Sequence, residues 1–260
     1  MDVLHNKPRG SNVDNEINDT LMRTLIPFAE ALAVYHQHKI VGLRNLPKQG
    51  PALIVSNHSL ATYDIVLLMY EIFKETGRIA RPLIDRLFFK IPGLGRIMDL
   101  TGSVQGGREE ARALLERGDI VCVAPGGMRE ALRPSTERYQ IIWDRRSGFI
   151  RVALETQTPI ILAACPRADD LYEVLENPIT KWAYKNFKIP IFLARGLGPT
   201  PLPRPIKLTH HLSKAIKPPK LAQTEEEIQQ QVAELHKRVI QEMEQMIGKA
   251  IARPKSKPKK

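Results

Sequence analysis

Residues 52–64 read Ala-Leu-Ile-Val-Ser-Asn-His-Ser-Leu-Ala-Thr-Tyr-Asp. An apolar run of strand type, Ala52 to Val55, follows the breakers Gly50 and Pro51 and ends in Ser56-Asn57. It delivers His58 to a turn, and Asp64 stands where the next apolar segment, Ile65 to Tyr70, begins. A buried strand that ends in polar residues ahead of a helix is the edge at which α/β proteins place chemistry. A histidine there can act as a general base, and a carboxylate nearby can fix its tautomer and orientation. The same residues also fit a plain Asn-His turn with Asp64 capping the next helix.

The pattern recurs downstream. Asp119 to Ala124 reads as a buried strand that runs into Pro125-Gly-Gly-Met-Arg-Glu-Ala-Leu132. Two glycine-rich or polar strand ends on one edge of a sheet would bring Arg129 and Glu130 near His58. Gly102-Ser-Val-Gln-Gly-Gly-Arg108 is a flexible turn ahead of a helix from Glu109 to Arg117. Its glycines let backbone N–H groups approach an anion, and Arg108 can clamp a phosphate or carboxylate. Further strands are expected at Lys39 to Arg44, Ile79 to Leu83, Thr158 to Cys165, Pro190 to Arg195 and up to Thr209. Helices are expected from Asp64, from Gly148 to Thr156, and from Thr224, where Glu227 three residues on makes a capping box. Asp169 to Lys188, aromatic and charged, reads as a helical excursion over the sheet edge. Strands alternating with helices predict an α/β fold: one domain with a central, largely parallel sheet flanked by helices.

Composition sets the outer limits. The 260 residues suffice for one α/β domain, and 43% hydrophobic content supports a packed core. We expect a loose arm at 1–18, the domain at 19–252 and a basic tail at 253–260. The two cysteines, Cys122 and Cys165, lie in apolar runs and read as buried small hydrophobes. His210-His211 reads as a strand end rather than a pair of metal ligands, and no metal site is expected. The start has no charged and apolar regions of a secretory signal, and no apolar run reaches the length of a membrane span. A soluble or peripheral protein of the cytoplasm follows as the expectation.

The net charge of +11 fits an anionic lipid surface or a phosphate-bearing substrate. With aromatics at 6% and no nucleic-acid-binding signature, nucleic acid is not expected as a partner. From Asp19, Leu21, Leu25, Phe28, Leu32 and Tyr35 recur at helical spacing, as a stripe packed on the domain or laid on a membrane. His36 and His38 near its end read as favourable helix-terminal charges. Leu83 to Met98 interleaves Arg86, Lys90 and Arg96 with bulky apolar residues. That mixture suits the wall of a groove holding an acyl chain beside a phosphate, or equally a surface helix with basic decoration.

From Lys39 to the last helix the chain resembles the glycerolipid acyltransferases of the lysophosphatidic-acid acyltransferase type. Asn57-His58 with Asp64 resembles the first family block, in which the histidine is the base and the aspartate its partner. Gly102 to Arg108 resembles the second, whose arginine is associated with the acceptor's phosphate. Pro125-Gly126-Gly127-Met128-Arg129 resembles the third block, and Thr158-Pro-Ile-Ile-Leu162 the fourth. Leu87 to Gly95 is similar to the linking segment. Five residues rather than four separate His58 from Asp64, and glycine stands at 126 where the usual third block has glutamate. The run from Pro125 to Leu132 is more similar to the branch related to diacylglycerol acyltransferases and phytyl ester synthases, which work on neutral alcohols.

The resemblance implies a glycerol-3-phosphate acyltransferase-like fold and transfer of a fatty acyl group to a glycerolipid or lysophospholipid hydroxyl. It implies no bound cofactor, with acyl-CoA or acyl carrier protein as co-substrate, and a membrane lipid surface, a lipid acceptor and acyl carrier protein as partners. His58 would be the base and Asp64 its support. Asn57, Arg108, Gly126, Gly127, Arg129 and Glu130 would bind substrate, with amides near Gly126 and Gly127 facing the oxyanion. No Gly-x-Ser-x-Gly elbow is present and neither cysteine adjoins His58 in sequence, so no acyl-enzyme is required. The competing expectation is a lipid-binding protein of the same fold that has lost turnover through its longer His58–Asp64 loop.

Overall fold

The computed structural model describes residues 19–60, 63–175 and 193–252. The expected arm at 1–18, the tail at 253–260 and most of the excursion toward Lys188 lie outside these residues. In chain order the elements are α1 (Asp19–Tyr35), β1 (Lys39–Val41), β2 (Ala52–Ser56), α2 (Tyr63–Thr76), β3 (Ala80–Ile84), α3 (Arg86–Phe89) and α4 (Leu94–Leu100). They continue with β4 (Val104–Gln105), α5 (Arg108–Glu116), β5 (Ile120–Val123), α6 (Gly127–Ala131), α7 (Gly148–Glu155) and β6 (Ile160–Ala164). β7 (Glu173–Leu175), β8 (Leu193–Arg195), β9 (Thr209–Leu212) and α8 (Glu225–Ala252) complete the set.

Seven strands form one sheet in the order β1-β9-β6-β2-β5-β3-β4. β2 lies at its centre, buried at every residue and paired in parallel with β5 and β6. A strand covered on both faces must be apolar throughout, which is why Ala52 to Val55 carries no alternation of polar residues. Its side chains still alternate between faces. Leu53 and Val55 join the core under α5, α7 and α8, with Leu114, Ile150 and Val239. Ile54 enters the opposite core under α2, with Ile65, Leu68 and Ile72. Crossing helices return the chain to the same end each time, so β2, β3, β4, β5 and β6 all leave the sheet at one edge.

β9 pairs antiparallel with β6, and β1 runs parallel to β9. These two reversed strands begin, rather than end, at the edge where the others finish. That inversion brings residues at the starts of β1 and β9 to the site. The expected strand at Pro190 to Arg195 is present as Leu193–Arg195, but it pairs with β7 in a separate two-stranded sheet. Gly102 to Arg108 is not wholly a turn, since Val104–Gln105 pairs with β3. The first strand is shorter than expected, ending at Val41 because Gly42 turns the chain at a φ of 90°. The capping box forms in both directions, with Thr224 N–H on Glu227 at 3.2 Å and Glu227 N–H on Thr224 at 3.3 Å.

α1 corrects the expected stripe. Phe28 is 65% exposed and Tyr35 42% exposed, while Ala29 and Ala33 are buried. The helix turns its small residues inward because it lies close against α2, in a cluster of Ala33, Leu67, Cys165, Leu171 and Leu208 that Leu32 borders. Large side chains on that face would hold the two helices apart. His36 and His38 are also not the terminal charges expected. His36 is fully buried with Nδ1 2.8 Å from the Ile206 carbonyl, and burial lowers its pKa. We expect Ala33→Leu to lower stability by about 1–3 kcal/mol through overpacking, whereas Phe28→Ser stays within about 0.5 kcal/mol of the parent. Urea unfolding of the two variants checks this directly.

Candidate active site

β2 ends at Ser56, and the next three residues carry the centre of the site. Asn57 is 1% exposed and its amide faces the backbone of Cys165 at the end of β6. Oδ1 accepts the Cys165 N–H at 2.8 Å and Nδ2 donates to the Cys165 carbonyl at 3.4 Å. Asn57 thus ties two strand ends together, a task its paired donor and acceptor suit.

His58 follows, partly exposed at the sheet edge. Its Nδ1 lies 3.0 Å from the Ser59 carbonyl. A carbonyl only accepts, so Nδ1 carries the proton and Nε2 of the neutral ring holds the lone pair. Burial lowers the His58 pKa, against the Ser59 carbonyl and Asp64, while the Arg133 and Arg146 charges lower it further. The ring is therefore neutral near pH 7, in the state a base requires.

Ser59 is also the link to Asp64. Its hydroxyl donates to Asp64 Oδ1 at 2.5 Å while its carbonyl holds His58. Ser59, which lies between His58 and Asp64 in the chain, touches both. Asp64 is sealed from solvent, and Oδ2 lies 3.6 Å from Nε2 of His210. Burial alone would raise its pKa, but His210 and the Ser59 hydroxyl, with a smaller coupling to His58, outweigh this and hold it below the usual range. Asp64 thus acts on His58 through its field, with the Ser59 carbonyl doing the orienting.

His210 corrects the expectation that nothing clusters with the histidine pair. Asp64, Cys165 and His210 present donor atoms within 4.8 Å of one another. Among the described residues this is the set that a metal would need. Burial raises the Cys165 thiol well above its ordinary pKa, however, and zinc binds the thiolate. The chemistry of the set therefore fits a hydrogen-bonded cluster better than a metal centre. The same burial leaves both thiols inert, with Cys122 pushed up to about 12.

The β5 end meets His58 differently from the sequence reading. Glu130 does come beside it, but from beneath: it is fully buried and accepts the backbone N–H of His58 and Nε1–H of Trp143, the latter at 3.0 Å. Arg133, also buried, lies 3.3 Å from Glu130 and forks onto both oxygens of Asp169 at 2.6 and 2.5 Å. A Cβ at Gly126 would overlap the Glu130 carboxylate, and one at Gly127 would stand 2.8 Å from Arg146. The glycines make room for these groups. The Gly127 amide donates to the Ala124 carbonyl at 3.1 Å.

Arg129 turns outward to pair with Asp144, both about half exposed. Arg146, which the sequence did not single out, instead donates to the Pro125 carbonyl at 3.0 Å and to that of Gly126. No motif marks Arg133 or Arg146, and only the fold brings them to His58. Arg108 opens α5 after β4, three strand positions from β2, or about 14 Å along the edge. In the stretch that connects β3 to β4, Leu87, Ile91 and Ile97 are 45%, 44% and 49% exposed. Apolar surface beside an edge that carries a neutral histidine and several guanidiniums suits a lipid whose reactive end meets His58.

A family model described as acyltransferase matches residues 37–165. This span contains His58, Asp64, Arg108 and Glu130, and the chain belongs to that family. Bovine and human proteins, each named as a DGAT1/2-independent enzyme synthesizing storage lipids, are 34% identical over 171 residues. The alignment covers 65% of this chain and 51% and 52% of theirs, so the chain spans about half the length of the curated relatives it matches. An uncharacterized protein of Mycobacterium tuberculosis is 26% identical over 200 residues, covering 73% of this chain and 55% of its own. Among solved structures, the 1-acyl-sn-glycerophosphate (LPA) acyltransferase PlsC from Thermotoga maritima superposes with a TM-score of 0.60 at 18% identity. That match covers 90% of this chain and 81% of the other, and establishes the shared fold.

Glu130 offers a test of the site's electrostatics. Burial pushes its pKa up to about 7, against the Arg133 charge and the His58 N–H, from an ordinary 4.5. Between those values the folded state holds a proton that the unfolded chain has lost, so its contribution to stability falls as pH rises through the window. Above about 7 the contribution levels off. Relative to Glu130→Gln, which is neutral throughout, the native protein is expected to lose on the order of 1–3 kcal/mol from pH 4.5 to 8. Urea unfolding at stepped pH measures the difference.

Proposed function

We propose that this protein transfers a fatty acyl group from a thioester, acyl-CoA or acyl carrier protein, to a glycerolipid hydroxyl, with His58 as general base. The carrying observation is the Nδ1–H of His58 fixed on the Ser59 carbonyl, which turns a neutral Nε2 lone pair into the acceptor of a proton. Nε2 takes the hydroxyl proton as the acceptor oxygen attacks the thioester carbonyl. The C–S bond then breaks, and the imidazolium returns its proton to the departing thiolate. The negative charge of Asp64 favours the imidazolium between these steps.

A neutral glyceride is the acceptor this reading favours, ahead of a lysophospholipid. Supporting it are the storage-lipid names of the 34% identical relatives and the pairing of Arg129 with Asp144 away from His58. Arg108 and Arg146 are then available to phosphates of the donor. We place the protein at a lipid surface, approached through Phe28, Val34 and Tyr35 of α1 and the apolar residues of α3 and α4. No helix of the described residues is long and apolar enough to cross a membrane.

Purified protein and His58→Ala are to be incubated with labelled long-chain acyl-CoA and, separately, acyl carrier protein. Acceptors are monoacylglycerol, diacylglycerol, a long-chain alcohol and lysophosphatidic acid. We expect transfer to a glyceride that drops by at least about 10²–10⁴-fold in the variant, the range a positioned base supplies. Equal rates in the two proteins would remove His58 from the mechanism. Lipid binding without transfer by either would favour a binding protein of the same fold.

A further inference from the structure

Asp64 has a second set of neighbours that the reaction outlined above does not use. His210 is the second residue of β9 and fully buried, and His38 immediately precedes β1. Because these strands are reversed, both histidines start at the edge where β2 and β6 end. Nε2 of His38 lies 2.8 Å from Nδ1 of His210, and Nε2 of His210 lies 3.6 Å from Oδ2 of Asp64. Neither that oxygen nor that nitrogen has a hydrogen-bond partner elsewhere among the described residues. Two buried polar atoms that face each other with nothing else to bind are a pair separated by a small closing movement.

The protons can be placed by elimination. Burial, aided by His210, pushes the His38 pKa down to about 3, so His38 is neutral and carries a single ring proton. If His210 spent a single ring proton on His38 from Nδ1, its Nε2 would turn a lone pair toward the carboxylate, and both would be unpaired and repelled. If His38 donates from Nε2, His210 accepts at Nδ1 and carries its own proton at Nε2, aimed at Asp64. Donation then runs from His38 to His210, whose Nε2–H is aimed at Asp64 Oδ2 from 3.6 Å, and the Ser59 hydroxyl supplies Oδ1. A sealed carboxylate with a donor on each oxygen is both tolerable and fixed in orientation.

We infer that His210, set by His38, is a positioning residue for acyl transfer, holding the Asp64 carboxylate where its charge acts on His58. This inference rests on the reading of His58 as base. His210 touches no substrate, and its effect passes through Asp64 and Ser59 to the imidazole. Replacing it should leave substrate affinity alone and slow the chemical step, because the imidazolium loses a correctly placed counter-charge.

The test uses the full chain with acyl-CoA and its best acceptor, comparing His210→Ala, His210→Gln and His58→Ala. His210→Ala is expected to cut kcat by roughly ten- to a hundredfold, the scale of a modest misplacement in an active site, with KM for acyl-CoA within about twofold. His210→Gln keeps an N–H at the same reach and should recover most of the loss. Nitrogen-15 NMR of the native protein should show His210 in the Nε2–H tautomer, a readout independent of turnover. Unchanged kcat in His210→Ala, equal losses in both His210 variants, or an Nδ1–H tautomer would each overturn the inference. So would stoichiometric zinc in the purified protein that His210→Gln removes. Absence of transfer by the native protein would instead bring down the reading of His58, while the tautomer still decides the contact between His210 and Asp64.

Discussion

A carboxylate with no access to water sits at the head of α2, and the surrounding elements are disposed to make it stable. Burying an ionised carboxylate alone would cost several kcal/mol, and the group would then take up a proton instead. Here the Ser59 hydroxyl reaches one oxygen and His210 faces the other. Those two partners come from the loop after β2 and from β9, and the second is available only because β9 runs against β6. The reversal in the sheet is therefore tied to the site as well as to the chain's path. Without it, the start of β9 would lie at the far end of the strands and Asp64 would keep the Ser59 hydroxyl but lose His210.

The second buried carboxylate shows a different solution. Glu130 binds the backbone of His58 from below, but shares one guanidinium with Asp169, and burial leaves it the more basic of the site's acids. The two acids thus have separate effects on one residue. Glu130 fixes the main chain on which His58 is carried, and Asp64 fixes the charge that its ring encounters. Gly126 belongs with the first arrangement, since only a residue without Cβ leaves room for the Glu130 side chain.

Much of this was legible in sequence. The all-apolar run before Asn57-His58, the repeat of that pattern at β5, and the capping box of α8 gave the sheet's parallel centre and its busy edge from local signals alone. Local signals also misled. The large residues of α1 mark a stripe at helical spacing, but close approach to α2 selected alanines for the buried face, and spacing does not register how near the partner helix lies. His36 and His38 read as helix-terminal charges because they end a helix, whereas their ring nitrogens meet Ile206 and His210, far along the chain. Arg133, Arg146 and His210 carried no motif. Each gains its meaning from a tertiary contact between segments far apart in the chain.

That long-range dependence has a consequence for how the protein comes into being. The core strands β2, β5 and β6 and the loop bearing His58 all precede residue 165, whereas β9 follows some forty residues later. Loop closure over such distances is slow relative to local folding, and chains are made from the N-terminus onward. A nascent chain therefore passes through an interval in which its sheet centre can assemble while Asp64 still lacks His210. In that interval the carboxylate favours a proton and an open edge strand, β6, awaits its partner. The order of synthesis thus makes the completion of the cluster around Asp64 a late event, coupled to the closing of the sheet itself.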